Sequence, residues 1–284
     1  MDQAENATSE WPPLVQAAAF AGPDHETLSR DAFLDGALWV WQPRRGYRAG
    51  IDAVFLAAAA QPLVAQPHAG PLKILDAGAG VGTVGLLAAK HHQDNAANVH
   101  VTLLEQSCEL AALAQRNVLE NNLGDSASVV CADFLGSGVS LEAAGIARAS
   151  FNLVLTNPPF YIDAHGTLPG DAIKAGAHAM GVGDLDRWVR AMAHVTCAGG
   201  EILMIHKADA LAALLEALSP RFGALRILPL HPRKGKAASR IIIKGVKGSR
   251  APLSLLPGHV LHGDGNEFTL ATRGILREGA GLWL

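Results

Sequence analysis

From Leu72 to Leu218 the chain alternates short apolar runs with longer stretches whose apolar residues recur every three or four positions. Leu72 to Asp76, Val99 to Leu104, Ser128 to Ala132, Phe151 to Thr156 and Gly200 to Ile205 read as buried strands. Between them, Thr83 to Lys90, Glu109 to Asn121, Asp184 to Val195 and Ala208 to Leu218 are predicted helices, with Trp188 and Val189 on the inner face of the third. Strands that alternate with helices imply right-handed crossovers and a mostly parallel, twisted sheet covered on both faces. The expected fold is therefore α/β and Rossmann-like.

Both ends break that rhythm. Residues 1–30 carry Pro12-Pro13 and Gly22-Pro23 without sustained periodicity and are read as a flexible leader. Residues 31–70 form a strand and helix extension: a strand at Leu38 to Trp41, then a helix from Ile51 to Ala60 that Pro62 and Pro67 terminate. Asp52 lies in that helix's first turn, where the dipole favours a carboxylate. The main domain runs from 71 to 284. Within it, Ala224 to Leu230 and Arg240 to Ile243 are β-rich and have no room for a helix between them, so they pair as an antiparallel hairpin. If the first of these runs parallel to the sheet, its loop emerges at the carboxyl ends of the strands, the ligand side of such folds.

A chain of 284 residues, 49% hydrophobic and 17% charged, can bury a large core. No apolar run approaches the roughly 18 residues of a membrane span. The first 29 residues lack Lys and Arg, which argues against a targeting peptide. Cys108, Cys131 and Cys197 are odd in number and far apart, so reduced thiols in the cytoplasm are expected, and no metal spacing is present. The net charge of −3 hides an asymmetry. Segment 221–250 holds nine of the 23 basic residues and no acid, which leaves 14 basic against 26 acidic side chains elsewhere. Such a basic hairpin points to a polyanionic partner.

The chemistry gathers at predicted strand ends. Gly78, Gly80 and Gly82 allow the backbone to pass close to a cofactor before a helix N-terminus, as in proteins that bind NAD, FAD or S-adenosylmethionine. Glu105 ends the next strand, where ribose hydroxyls are bound. Asp76, just before the glycines, would repel a pyrophosphate but suits the ammonium of a methionine moiety. Asp133 could accept from an adenine amino group. Asn157-Pro158-Pro159-Phe160 closes the fourth strand as a stiff corner whose carbonyls lack local donors. Two acceptors beside an aromatic plate fit a planar group carrying an –NH2.

These residues resemble a known group. Asp76-Ala77-Gly78-Ala79-Gly80, Glu105, Asp133 and Asn157-Pro158-Pro159-Phe160, in that order, look like class I S-adenosylmethionine-dependent methyltransferases that act on exocyclic or amide nitrogens, over roughly 72–206. Arg44-Arg45-Gly46-Tyr47-Arg48-Ala49-Gly50-Ile51-Asp52-Ala53 and Pro232-Arg233-Lys234-Gly235 with Ser239-Arg240 are similar to the bacterial tRNA(Val) adenine-N6 methyltransferase family. The resemblance implies an N-methyltransferase that modifies tRNA, with S-adenosyl-L-methionine as cofactor. It implies cofactor contacts from Asp76, Gly78, Gly80, Gly82, Glu105, Asp133 and Asn157, and target-base contacts from Asn157, Pro158, Pro159 and Phe160. Phe160 stands where that family more often has Tyr, which keeps the stacking plate and loses a hydroxyl. Arg233, Lys234, Lys236 and Arg240 are the expected RNA-binding residues. A protein glutamine amide, or an adenine in rRNA or DNA, presents the same planar –NH2 and stays open as substrate. An NAD-dependent oxidoreductase would use the glycine loop but leaves Asp76 and the Asn-Pro-Pro corner unexplained. A non-catalytic RNA-binding module would need the cofactor pocket to be vestigial.

Overall fold

The computed structural model describes residues 27–46, 48–64, 70–93, 98–158 and 183–284. The chain enters through a two-stranded antiparallel hairpin, β1 (Leu28–Phe33) and β2 (Leu38–Pro43). The leader reading falls mainly outside the described residues, and its last three residues belong to β1. The strand expected at Leu38 is present, and its partner β1 is an addition. Helix α1 (Ile51–Val64) does not stop at Pro62 but runs through it. A proline there removes the N–H that would bond Ala58, and that carbonyl is instead satisfied by the N–H of Leu282, at 2.9 Å. Residues 53–60 are buried on every side, because the C-terminal tail covers the face of α1 that the sheet does not.

The main sheet is nine-stranded among the described residues. Its parallel half comprises β3 (Leu72–Ala77), β4 (Val99–Glu105), β5 (Ala127–Cys131), β6 (Phe151–Thr156) and β7 (Thr196–Lys207), in the order β5-β4-β3-β6-β7. Then β8 (Phe222–Arg233) and β9 (Arg240–Lys247) form the expected antiparallel hairpin. The return strand β9 inserts between β7 and β8, so β8 runs parallel to β7 and the 234–239 turn emerges at the carboxyl edge. Two short strands, β10 (Ser254–Leu255) and β11 (His259–His262), line the outer side of β8.

Alternate side chains of each central strand enter two cores. Ile74, Leu103 and Leu155 face α1, α2 (Thr83–Gln93) and α3 (Cys108–Glu120), with α7 (Leu270–Glu278) behind them. Leu75, Leu104 and Val154 face α4 (Gly138–Ala143), α5 (Asp184–Val195) and α6 (Leu211–Leu218). Helix α4 is too short and polar to be legible as a period. The hairpin β1–β2 docks on α3 through two asparagines: Asn117 and Asn121 each accept from and donate to the backbone of Trp41 and Trp39, respectively. Among the described residues no helix is long and apolar enough to cross a membrane.

Candidate active site

The register brings the predicted residues to one edge of the sheet. Asp76 in β3 pairs with Leu103 in β4 and Leu155 in β6, and Glu105 in β4 pairs with Cys131 in β5. Asp76, Glu105, Asp133 and Asn157 therefore sit at the carboxyl tips of four adjacent strands. Neighbouring tips are about 4.8 Å apart, so the row of four spans about 14 Å, the size of a small-molecule ligand.

Between β3 and α2 the chain makes the glycine loop. Gly78, Gly80 and Gly82 have φ of 73°, 57° and 88°, values that a side chain would strain. The loop is fastened on two sides. The N–H groups of Gly78 and Ala79 both donate to the Leu104 carbonyl at 2.9 Å, and Asn117 Nδ2 donates to the Val81 carbonyl at 2.9 Å. Glu105 completes the anchorage, its Oε2 accepting from Gly80 N and its Oε1 from Ser107 N, both at 2.8 Å. Each carboxylate oxygen has a second lone pair, so this latch does not exhaust Glu105 as an acceptor for ribose hydroxyls.

Asp76 is 1% exposed, and its Oδ2 accepts from Gly85 N in the first turns of α2, at 2.8 Å. Burial pushes its carboxyl up to about 7, against the Gly85 N–H, and the negative charge of Glu105 adds to the rise. Gly85 has no Cβ; one there would run into Leu103 and Val101 of β4, so its absence lets α2 settle on the sheet closely enough for that bond. Asp133 is exposed, with Oδ1 fixed by Leu135 N at 2.8 Å.

Asn157 follows β6 directly. Its Oδ1 is buried and finds no donor among the described residues. A buried amide oxygen without a partner costs about 1–3 kcal/mol, a cost that a bound donor group would relieve. The next residue, Pro158, is buried; Pro159 and Phe160 lie outside the described residues. Thr83, where the glycine loop becomes α2, also has a buried hydroxyl with no hydrogen-bond partner among the described residues. An orphaned hydroxyl beside three positive-φ glycines fits a polar ligand such as the adenosyl-methionine cofactor.

Residues that the sequence did not single out for function hold this edge together. Thr156 Oγ1 donates to the Ala77 carbonyl at 2.8 Å and accepts from the Trp188 indole at 3.1 Å. Cys108 and Cys131 form a disulfide, with Cα atoms 5.6 Å apart, which corrects the reading of three reduced thiols; Cys197 is free. Parallel pairing sets Cys131 opposite Glu105, and α3 starts three residues later with Cys108, so 23 residues of separation close in space. Asn117 had a legible signal, as a polar residue on the apolar face of an amphipathic helix. The disulfide had none.

Several cations of the basic segment are paired within the chain. Arg240 Nε binds Asp52 Oδ2 at 2.9 Å, and Arg233 donates to the Gly263 and Gly265 carbonyls and to Asn266 Oδ1. Arg221 pairs with Asp186 and Lys244 with Glu201, while Lys247 donates to the Thr196 carbonyl. Five of the nine cations are thus committed inside the chain, because a twisted hairpin on a sheet edge meets acids and carbonyls of its neighbours. Lys234 and Lys236 are exposed on the 234–239 turn. That turn rises beyond the level of Asn157: Arg240 pairs with Lys207, three residues past the Met204 that faces Thr156. Asn157 is one residue past Thr156, so at 3.3 Å per residue the foot of the turn lies about 7 Å beyond it.

Comparison with known proteins agrees with this geometry. Residues 58–179 match the methyltransferase small domain family. Over 136 residues the chain is 31% identical to a tRNA1(Val) (adenine(37)-N6)-methyltransferase of Enterobacter sp. (strain 638), which covers 47% of this chain and 49% of the relative. The chain thus matches about half the length of that curated relative. Among solved structures, a predicted O-methyltransferase from Agrobacterium tumefaciens is 28% identical with a TM-score of 0.66, covering 82% of this chain and 98% of that one. A 16S rRNA N2 G1207 methyltransferase of T. thermophilus, in complex with AdoMet and guanosine, has a TM-score of 0.52 at 19% identity over 78% of this chain and 50% of that one, a likeness of fold alone. The chain thus has the fold of class I S-adenosylmethionine-dependent methyltransferases, with the parallel sheet and antiparallel end hairpin expected of it, and its residues 58–179 match the methyltransferase small domain.

Proposed function

We propose that this chain methylates the exocyclic N6 of an adenine in tRNA, in the cytoplasm, with S-adenosylmethionine as donor. The observation that carries the reading is the buried, donorless Oδ1 of Asn157 beside the glycine loop. The name of the Enterobacter relative supports tRNA adenine as substrate. The exposed Lys234 and Lys236 on the overhanging turn favour a nucleic acid over a protein amide.

The cofactor supplies an already activated methyl group. Asp76, Glu105, Asp133 and the glycine loop would hold it, and Thr83 adds a free hydroxyl at the same junction. The chain's remaining task is alignment, which can contribute about 7–11 kcal/mol. An adenine amine is a weak nucleophile because its lone pair is delocalised into the ring. Hydrogen bonds from its two N–H groups to Asn157 Oδ1 and the Pro158 carbonyl would draw the nitrogen toward tetrahedral geometry and stabilise its developing positive charge. No general base is required before transfer. The target base must leave its stack, at a cost of a few kcal/mol, and Phe160 stacking would return about 1–3 kcal/mol.

The test is transfer of labelled methyl to total tRNA, rRNA and protein extract, with N6-methyladenosine identified in the digested RNA. Asn157→Ala should abolish transfer and leave cofactor affinity within about twofold, since the side-chain amide is assigned to the acceptor and a main-chain cofactor contact at Asn157 would survive the substitution. Label in protein, or in rRNA alone, would overturn the substrate; retained turnover in the variant would overturn the role of Asn157.

A further inference from the structure

We infer that Trp188 is a positioning residue that sets the spacing between the cofactor loop and Asn157; this deepens the function proposed above and rests on it. Trp188 is 7% exposed and touches three of the strand tips that carry the site. Its indole N–H donates to Thr156 Oγ1 at 3.1 Å, and that hydroxyl donates onward to the Ala77 carbonyl at 2.8 Å. The residues that follow Ala77 and Thr156 are Gly78 and Asn157, one from each half of the cleft. The ring also lies on Gly78 itself: a Cβ added there would sit 3.1 Å from Cη2. It also meets Phe134 in an edge-to-face arrangement, with centroids 5.0 Å apart, and Phe134 follows Asp133.

A buried indole N–H needs an acceptor wherever it packs; what matters here is that its acceptor is the hydroxyl that also holds the β3 tip. Here the hydroxyl of Thr156 is used in both directions at once, so neither the indole nor the β3 tip can shift without moving the base of Asn157. Transfer is acutely sensitive to such spacing, because a displacement of about 1 Å can cost about a hundredfold in rate. Binding of either substrate alone is not.

Two variants remove the link from opposite sides: Trp188→Phe keeps a ring over Gly78 and loses the N–H, and Thr156→Val loses the hydroxyl, while Thr156→Ser restores it. Both lesions should lower kcat on RNA about tenfold or more, with cofactor Kd and RNA KM within about twofold, and Thr156→Ser should match the unaltered protein. In two-dimensional NMR, the Asn157 side-chain amide pair, assigned by its loss in Asn157→Ala, should move in both lesions and stay in place in Thr156→Ser. Unchanged kcat and an unmoved amide would overturn the inference, as would a loss of kcat that merely follows cofactor affinity and melting temperature downward. Should Trp188→Phe fail to fold, the Thr156 pair decides by the same criteria. If the unaltered protein methylates no RNA, the functional proposal fails, and the amide shift still decides whether Trp188 places Asn157.

Discussion

Asp52 and Arg240, 188 positions apart in the chain, meet at 2.9 Å. The carboxylate lies in the first turn of α1 and the guanidinium opens β9, so the pair ties the N-terminal extension to the basic hairpin. Both side chains are half-buried, at 21% and 30% exposure, which lifts the pair above an ordinary surface contact. Removing the carboxylate in Asp52→Ala should cost about 1–3 kcal/mol, against about 0–1 kcal/mol for a fully solvated pair. Urea denaturation of the two single variants and the double Asp52→Ala/Arg240→Ala variant gives the coupling directly.

The buried carboxyl of Asp76 gives the domain a pH signature. In the unfolded chain it ionises near 3.8; in the fold, burial holds the proton until about 7. The folded pKa is the higher one, so this group stabilises the unliganded fold below about 4 and the contribution is lost as pH rises through about 7. The proposed contact with a cationic ammonium runs the other way, since that ligand selects the ionised carboxylate. Cofactor affinity should rise from pH 6 to pH 8, with proton release on binding at the lower value. Calorimetry in buffers of different ionisation enthalpy measures both, and Asp76→Asn should abolish the proton release.

The Cys108–Cys131 disulfide closes a loop of 23 residues, for which chain entropy accounts for about 3 kcal/mol. Cys131→Ser should lower the unfolding free energy by about that amount without reductant. Reductant should bring the unaltered protein down to the level of the variant and leave the variant where it is. Chemical denaturation with and without a phosphine reductant is the measurement.

Lys234 and Lys236 should dominate what the hairpin contributes to RNA binding. Their joint replacement by alanine is expected to weaken binding uniformly across RNA sequences and to flatten the slope of log affinity against log salt by about 1.5. Arg226 and Arg250 are exposed too, but the first lies within β8 and the second beyond the far end of β9, so their loss should change that slope little. Filter binding over a salt series distinguishes the pairs.

Much of this edge was legible from residue order alone. A strand that carries Asp76 near its end, glycines at 78, 80 and 82 and a helix directly after them leave few alternatives, because glycine takes the positive φ of those three positions without strain. Antiparallel pairing of β8 and β9 likewise followed from the lack of a crossover. Pair partners were not legible. Nothing local to Arg240 announces Asp52, and nothing local to Cys131 announces Cys108. Charge counting therefore overstated the free basic surface of 221–250: it registers how many cations are present, and tertiary contacts decide how many still face outward. Pro62 misled for a related reason, since the carbonyl it orphans on Ala58 is satisfied by Leu282, more than two hundred residues away.

The asparagine pair on α3 has a consequence for association between molecules. By accepting from and donating to the backbone of Trp39 and Trp41, Asn117 and Asn121 occupy the row of main-chain groups that β2 would otherwise present to a passing strand. An extension of only two strands would be a natural template for intermolecular zippering. Here a helix closes it off with side-chain amides, and the border of the hairpin is sealed without a third strand.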